Sequence, residues 1–373
     1  MKSHPLPFPY GLTCLLLLFG LSACTDPVVP TYRYETGFLL VDGRITDQPG
    51  YSQVAIRRNT VLFGQYTLGP VTGAVVSSLD DQGQRTEWVA VDSGGLYVPP
   101  NDFVAQPGRT YSLSIATPEG EVVESDPQQL PPAVPFLNPR YRFEQEGYFS
   151  TSRNRFVPTF TFLVDVEDPP GEENFYKYRY RTWESIAVCA TCRRSRYRNG
   201  ECIEGPGTNF VNRWDYLCDL PCWISTLGQG SSIMSDALSD GRRMTGVEAG
   251  RLDYERPGGL LFEIEQANIS RDAYEFGQVV ENLSENSGGL NAPLPAPLIG
   301  NLRDRSDQRT DVLGFVSVEA VTVDRVYFNR DTVDGTSLPY DGQIILEPVL
   351  PSPPAAPCTG GNRTPVRPFG WPG

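Results

Sequence analysis

The chain has 373 residues, with 31 lysines and arginines against 45 aspartates and glutamates, giving a formal net charge of −14. So acidic a polypeptide is poorly suited to nucleic acid or to anionic headgroups recognised by charge. Its one histidine is His4 and its only lysine after Lys2 is Lys177, which removes histidine-based acid–base and nucleophilic catalysis and leaves carboxylates as the main option for an enzyme.

The first element is a leader. Lys2 precedes an apolar run from Leu12 to Leu21, interrupted by Thr13, Cys14 and Gly20. That run is the length of a signal-peptide core and shorter than the roughly 20 apolar residues a membrane-spanning helix needs. It ends in Leu21-Ser22-Ala23-Cys24. Small residues before a cysteine suit a lipoprotein signal peptidase, so residues 1–23 are read as an export signal and Cys24 as the acylated N-terminus. Several acyl chains on one residue anchor a protein stably where a single chain would not. Asp26 is the third residue of the processed chain and so does not form the simplest inner-membrane retention signal. An outer-membrane location is therefore expected. Residues 24–35, with Pro27 and Pro30, read as a tether.

From residue 36 to 130 apolar residues recur at period two between turn signals. Leu39, Val41 and Ile45 share one face of a first strand; Tyr111, Leu113 and Ile115 share a face of a later one, which turns at Thr117-Pro118-Glu119-Gly120 and returns through Val122. The expectation is an immunoglobulin-like or transthyretin-like β-sandwich. Residues 131–135, rich in proline, read as a linker. Residues 136–350 read as a second β-rich domain. In it Phe160, Phe162, Val164 and Val166 alternate with polar neighbours, Tyr176, Tyr178 and Tyr180 share a face, and Leu260, Phe262 and Ile264 lie opposite Leu261, Glu263 and Glu265; Val316, Val318 and Ala320 continue the pattern. Glu263 and Glu265 read as the wet side of a strand. One helix is expected after Ser270, an N-cap, with Ala273, Phe276, Val280 and Leu283 on one face and an Ile269–Tyr274 staple. Residues 351–373 form a Pro/Gly-rich tail.

Between 189 and 222 stand Cys189, Cys192, Cys202, Cys218 and Cys222, and Cys358 lies in the tail. In an exported chain such cysteines are expected as disulfides, stapling an irregular insertion, although sequence does not choose the pairing. Structural zinc at Cys189, Cys192, Cys218 and Cys222, and redox chemistry at Cys189 and Cys192, are the alternatives. The insertion carries Arg193, Arg194, Arg196, Tyr197, Arg198 and Trp214, with Trp223 just beyond it, a set able to bind carboxylate, phosphate or a sugar face; the plainer reading is a solvated loop whose arginines pair with nearby acids. Asp165, Asp168, Glu172, Glu173 and Asn174 form an acidic turn at which calcium is an alternative to simple solvation. No cofactor is expected.

Taken in order, the segments Leu40-Val41-Asp42-Gly43-Arg44-Ile45-Thr46-Asp47, Asp168-Pro169 before Asn174-Phe175-Tyr176, Pro221-Cys222-Trp223, Ile269-Ser270-Arg271-Asp272-Ala273-Tyr274-Glu275-Phe276 and Leu313-Gly314-Phe315-Val316-Ser317 resemble the DUF4249 family of Bacteroidetes lipoproteins, with Asp42 where that family usually has glutamate. The resemblance spans nearly all the chain after Cys24. It implies no catalytic residues. It does imply an association, since such lipoproteins are often encoded beside TonB-dependent outer-membrane receptors. The expected function is that of a non-enzymatic accessory or binding subunit for nutrient capture. A structural or assembly component of an envelope complex and a carboxylate-based glycan hydrolase are the alternatives.

Overall fold

In a strand every second side chain faces the same way, so a run of alternating residues buries one face only when another sheet or the same sheet, curled over, covers it. The computed structural model describes residues 37–62, 65–91, 93–186, 190–193, 195–198, 201–204, 214–216, 222–228, 232–285, 298, 300–306, 310–339, 358 and 362–372. These are mainly β. In chain order the strands are β1 (Leu39–Thr46), β2 (Gln53–Leu62), β3 (Gln65–Pro70), β4 (Val75–Asp80), β5 (Arg85–Ala90), β6 (Leu96–Val98), β7 (Thr110–Ala116), β8 (Val122–Ser125), β9 (Gln128–Gln129), β10 (Phe136–Ser150), β11 (Arg155–Glu167) and β12 (Phe175–Ser185). There follow β13 (Ala190–Arg193), β14 (Ser195–Arg198), β15 (Glu201–Glu204), β16 (Trp214–Tyr216), β17 (Trp223–Leu227), β18 (Ser232–Ser235), β19 (Arg243–Asp253) and β20 (Gly259–Ile269). The helix α1 (Arg271–Glu285) precedes β21 (Leu302–Asp304), β22 (Val312–Asn329) and β23 (Arg363–Thr364).

Hydrogen bonds run continuously through the order β21-β8-β7-β4-β5-β6-β2-β1-β22-β20-β12-β17-β23. The first part of this sheet encloses one core, in which Leu39, Val41, Ile45, Val54, Ile56, Val76, Trp88, Tyr97, Leu113, Ile115 and Val123 meet Val316, Val318 and Ala320. The alternating faces expected for β1 and β7 are the buried ones. The turn between β7 and β8 closes through Gly120 N–H donating to Thr117 O at 3.1 Å, with Gly120 at φ +101°.

A separate sheet, β10-β11-β19, covers one face of β12, β20 and β22. The second core lies between them and is largely aromatic. Phe162 stacks on Phe262 at 3.3 Å between centroids, Tyr180 stacks on the same ring at 4.8 Å, and Tyr141 stacks on Phe328 at 4.5 Å. On the other face of the sheet Phe175, Ala267, Ile269 and Val321 form a third cluster with Ala273 and Tyr274 of α1. Ser270 caps α1 as its sequence suggests, its hydroxyl accepting from Ala273 N at 3.2 Å. Of the expected face, Ala273, Phe276 and Leu283 are half-buried, with Phe276 packing on Phe315 at 5.1 Å, while Val280 is 42% exposed. Tyr274 packs against the cluster that holds Ile269, as the staple requires, and also reaches Phe175, with ring centroids 4.8 Å apart.

The residues on either side of 131–135 contribute to different cores, but the chain returns. Val316, Val318 and Ala320 pack in the first core while Phe328 of the same strand packs in the second. Gly37–Gly373 forms one compact unit. The return is made by the one parallel pairing among the described strands, β1 with β22, in the register Leu39↔Val312 to Thr46↔Glu319. At its centre Gly314 has φ +108°, and a Cβ there would lie 1.9 Å from Val41 O. Gly314→Ala is therefore expected to destabilise the protein by more than about 3 kcal/mol, measurable as a lowered midpoint in urea unfolding.

Candidate functional site

Strand β20 is buried along almost its whole length on both faces, so the side chains of Glu263 and Glu265 cannot be the solvated edge their spacing suggests. They point, with Arg179 and Lys177 of β12, Glu319 and Arg325 of β22 and Arg44 of β1, into the face opposite the second core. Register dictates the grouping: Arg179 stands beside Glu265, Arg181 beside Glu263, and Glu263 beside Arg325. An ionised carboxylate buried alone would cost several kcal/mol, so each must find a cation.

They do. Arg179 makes a two-pronged pair with Glu319, with both N···O distances 2.8 Å, and also donates to Glu265 at 2.8 Å. Arg44 donates to Glu265 from the other side. Ser317 Oγ donates to Glu319 at 2.5 Å. Arg325 holds Glu263 at 2.7 Å. Tyr51, in the turn between β1 and β2, lies under Arg44, whose guanidinium is 5.8 Å from the ring centre; burial and then the charge of Glu263 push its phenol up to about 12.

Glu319 is fully buried, which by itself would raise its pKa, but the charge and hydrogen bonds of Arg179, with Arg44 and Lys177, hold it well below the carboxylate range. Burial likewise opposes the charge on Arg179, and Glu319 and Glu265 outweigh it. Lys177 is pushed down by burial and by Arg179, against the pull of Glu319 and Asp42. The network is therefore a set of paired charges. Its acids are committed to arginines, which is the opposite of a carboxylate pair poised to transfer protons.

The network has an outlet at Arg325. Besides Glu263, this guanidinium donates to Phe369 O at 3.1 Å and sits 4.8 Å from the centre of the Trp183 ring, whose other neighbour is Arg181 at 5.6 Å. Beyond Trp183 the C-terminal tail lies along the sheet. β23 pairs with β17 at Trp223↔Thr364, Trp371 approaches Trp223 at 6.2 Å and Tyr327 at 5.2 Å, and Cys222 is joined to Cys358. This disulfide is one of the pairings the sequence leaves open. It binds the tail beside the insertion, and the tail presents Val366 and Phe369 at 70% and 86% exposure.

Of the residues singled out in the sequence, Trp223 is 7% exposed and packs under the tail. Cys202 is disulfide-bonded and its side chain is exposed. Arg193, Arg196, Tyr197, Arg198 and Trp214 lie in short strands, β13 with β16 and β14 with β15, as does Cys192. Their side chains, and Cys24, Cys189, Arg194 and Cys218 altogether, lie outside the described residues. Arg44, Arg179, Glu319 and Arg325 were not singled out. The only signal for them was polar residues at alternate positions in otherwise apolar strands, and that pattern cannot tell a wet face from a paired one.

Two clefts lie elsewhere. One is bounded by Asp80, Phe103, Arg109 and Tyr111, where Arg109 pairs with both Asp80 and Asp81. The other runs under α1, between Asp272, Phe276, Arg303 and Phe315. A family model described as Domain of unknown function (DUF4249) matches residues 25–325. No curated protein matches the chain.

Replacing Glu319 by alanine leaves Arg179 half-paired in a buried site, and a loss of about 3–5 kcal/mol is expected by chemical unfolding. Because Glu319 is depressed from an ordinary value of 4.5, its stabilisation is complete above that value and is lost as pH falls below it. Glu319→Gln should therefore flatten the dependence of unfolding free energy on pH below about 4.5. Opening the Cys222–Cys358 loop, with a sequence separation of 136, by the double change to serine should cost about 2–4 kcal/mol. The same variant should speed amide exchange at Arg363 and Thr364.

Proposed function

From its membership of the DUF4249 family, whose function is undefined, we propose that this chain is a lipid-anchored, non-catalytic binding subunit that works at the outer membrane beside a TonB-dependent receptor. The anchor is Cys24, and the family match begins at the next residue. Attachment through acyl chains at the N-terminus is the route the leader supports.

The observation that carries the binding part is the stapled tail. Cys222–Cys358 and the β17–β23 pairing hold a segment that would otherwise lose much entropy on docking, and they leave Val366 and Phe369 facing solvent. A pre-ordered surface of aromatic and apolar side chains beside arginines is suited to a partner protein or a ligand with a flat apolar face. Non-catalytic action is supported by Glu263, Glu265 and Glu319, the buried acids of this sheet face, each being held by arginine.

Two measurements test this. Cys24→Ser should abolish incorporation of a palmitate analogue and move the protein from the membrane to the soluble fraction. A photo-crosslinking residue at position 369 in native membranes should capture an outer-membrane receptor of the TonB-dependent class. Capture of secretion or barrel-assembly machinery instead would replace this reading with that of an assembly component.

A further inference from the structure

The acidic turn noted in the sequence divides into two unlike halves once folded. Asp165 is saturated: Asn138 Nδ2, Arg243, Gly246 N and Arg140 all donate to it at 2.9–3.1 Å. Those donors hold its carboxyl well below the ordinary range, the Asn138 bond first among them. Glu172 and Glu173 are exposed. Asp168, directly after β11, has a different fate. It is 6% exposed and meets Asp236, 1% exposed and directly after β18, together with the exposed Asp240. One carboxylate oxygen from each lies within 4.8 Å of the other two.

Like charges so placed repel, and the surroundings give them hydrogen bonds but no cation. Tyr176 Oη donates to Asp168 at 2.5 Å and Gly241 N at 3.0 Å; Asn174 N donates to Asp236 Oδ2 at 2.9 Å; Gly171 N donates to Asp240 at 2.7 Å. Among the described residues no arginine or lysine pairs with any of the three. The second carboxylate oxygen of Asp236, Oδ1, is buried with no hydrogen-bond donor. A buried anionic oxygen left in this way costs free energy that burying it against a cation would recover.

We propose that Asp168, Asp236 and Asp240 form a binding site for a calcium ion. The donors are all carboxylate oxygens, which select a hard cation, and no thiolate or imidazole is present to favour zinc or copper. Oxygens within 4.8 Å of one another can converge on one ion, and calcium accepts such an irregular set at about 2.3–2.6 Å, whereas magnesium demands near-ideal octahedral order. Asp240 at the surface supplies the way in, and water would complete the coordination. The ion would tie the end of β11 to the turn after β18.

The experiment uses the detergent-solubilised full chain, stripped with chelator. Calcium chloride is titrated by calorimetry and by thermal unfolding up to about 10 mM, above the range of weak extracellular sites. Terbium is added as a second probe, with luminescence excited through tyrosine, since Tyr176 touches Asp168. A single calcium ion should bind and raise the melting temperature, and calcium should displace terbium. Asp240→Asn, at an exposed position that leaves the fold intact, should weaken binding by about tenfold or more. Asp236→Asn should abolish it, and Glu172→Gln should leave it unchanged. The proposal is overturned by the absence of heat, luminescence and thermal shift over that range, or by Asp240→Asn binding as well as the parent. It is equally overturned if acidification alone stabilises the protein and calcium does not, because Asp168 and Asp236 would then be sharing a proton.

Discussion

The pairing of β1 with β22 is the constraint on which the rest of the molecule depends. A parallel pair needs a crossover, and here nearly the whole described chain is that crossover, since the residues joined in register are as far apart as Leu39 and Val312. Closing so long a loop is entropically expensive, though the cost grows only with the logarithm of its length. It is offset on one face by burial of Val316, Val318 and Ala320 in the first core. On the other face the same pairing brings Arg44 to Glu265, and Ser317 Oγ to Gly43 O. The seam thus assembles an apolar core and a charged layer in one step.

The charged layer explains how strands with arginine and glutamate at alternate positions can be central in a sheet. A desolvated ion pair is seldom worth more than well-packed hydrocarbon of the same volume, but removing one member is costly. Arg179 with Glu319 and Glu265 consequently acts as a register lock: a slip by one residue would turn these groups toward the Phe162–Phe262 stack and strand them. Arg325 carries the same logic outward, since it serves Glu263, Trp183 and the carbonyl of Phe369 together. The position of the tail is therefore tied to the interior through one guanidinium as well as through the disulfide.

The segments that resemble the family are spent largely on these joints. Asp42 to Asp47 supplies Arg44 to the network, and Asp47 accepts from Val321 N at 2.7 Å. Leu313 to Ser317 supplies the seam, Cys222 and Trp223 the disulfide and its packing, Ile269 to Phe276 the cap of the helix, and Asp168 to Tyr176 the carboxylate corner. A family so defined shares a scaffold more plainly than a chemistry. On that scaffold the stapled tail displays Val366 and Phe369 at 70% and 86% exposure.

By itself the sequence determined the β character of the chain, the buried faces of β1, β7 and β11, and the cap of α1. Each depends on neighbours within a few residues, and period and capping are local physics. Tertiary structure alone decided that Glu263 and Glu265 are dry, that Val280 faces solvent while Tyr274 reaches Phe175, and that Cys222 pairs with Cys358. It also decided that Asp168 keeps company with Asp236 and Asp240 while its neighbour Asp165 belongs to arginines. The reason is common to all of them. Whether a polar side chain is solvated, paired or gathered with its like is set by the strand that arrives beside it, and in this protein that strand is distant in the sequence.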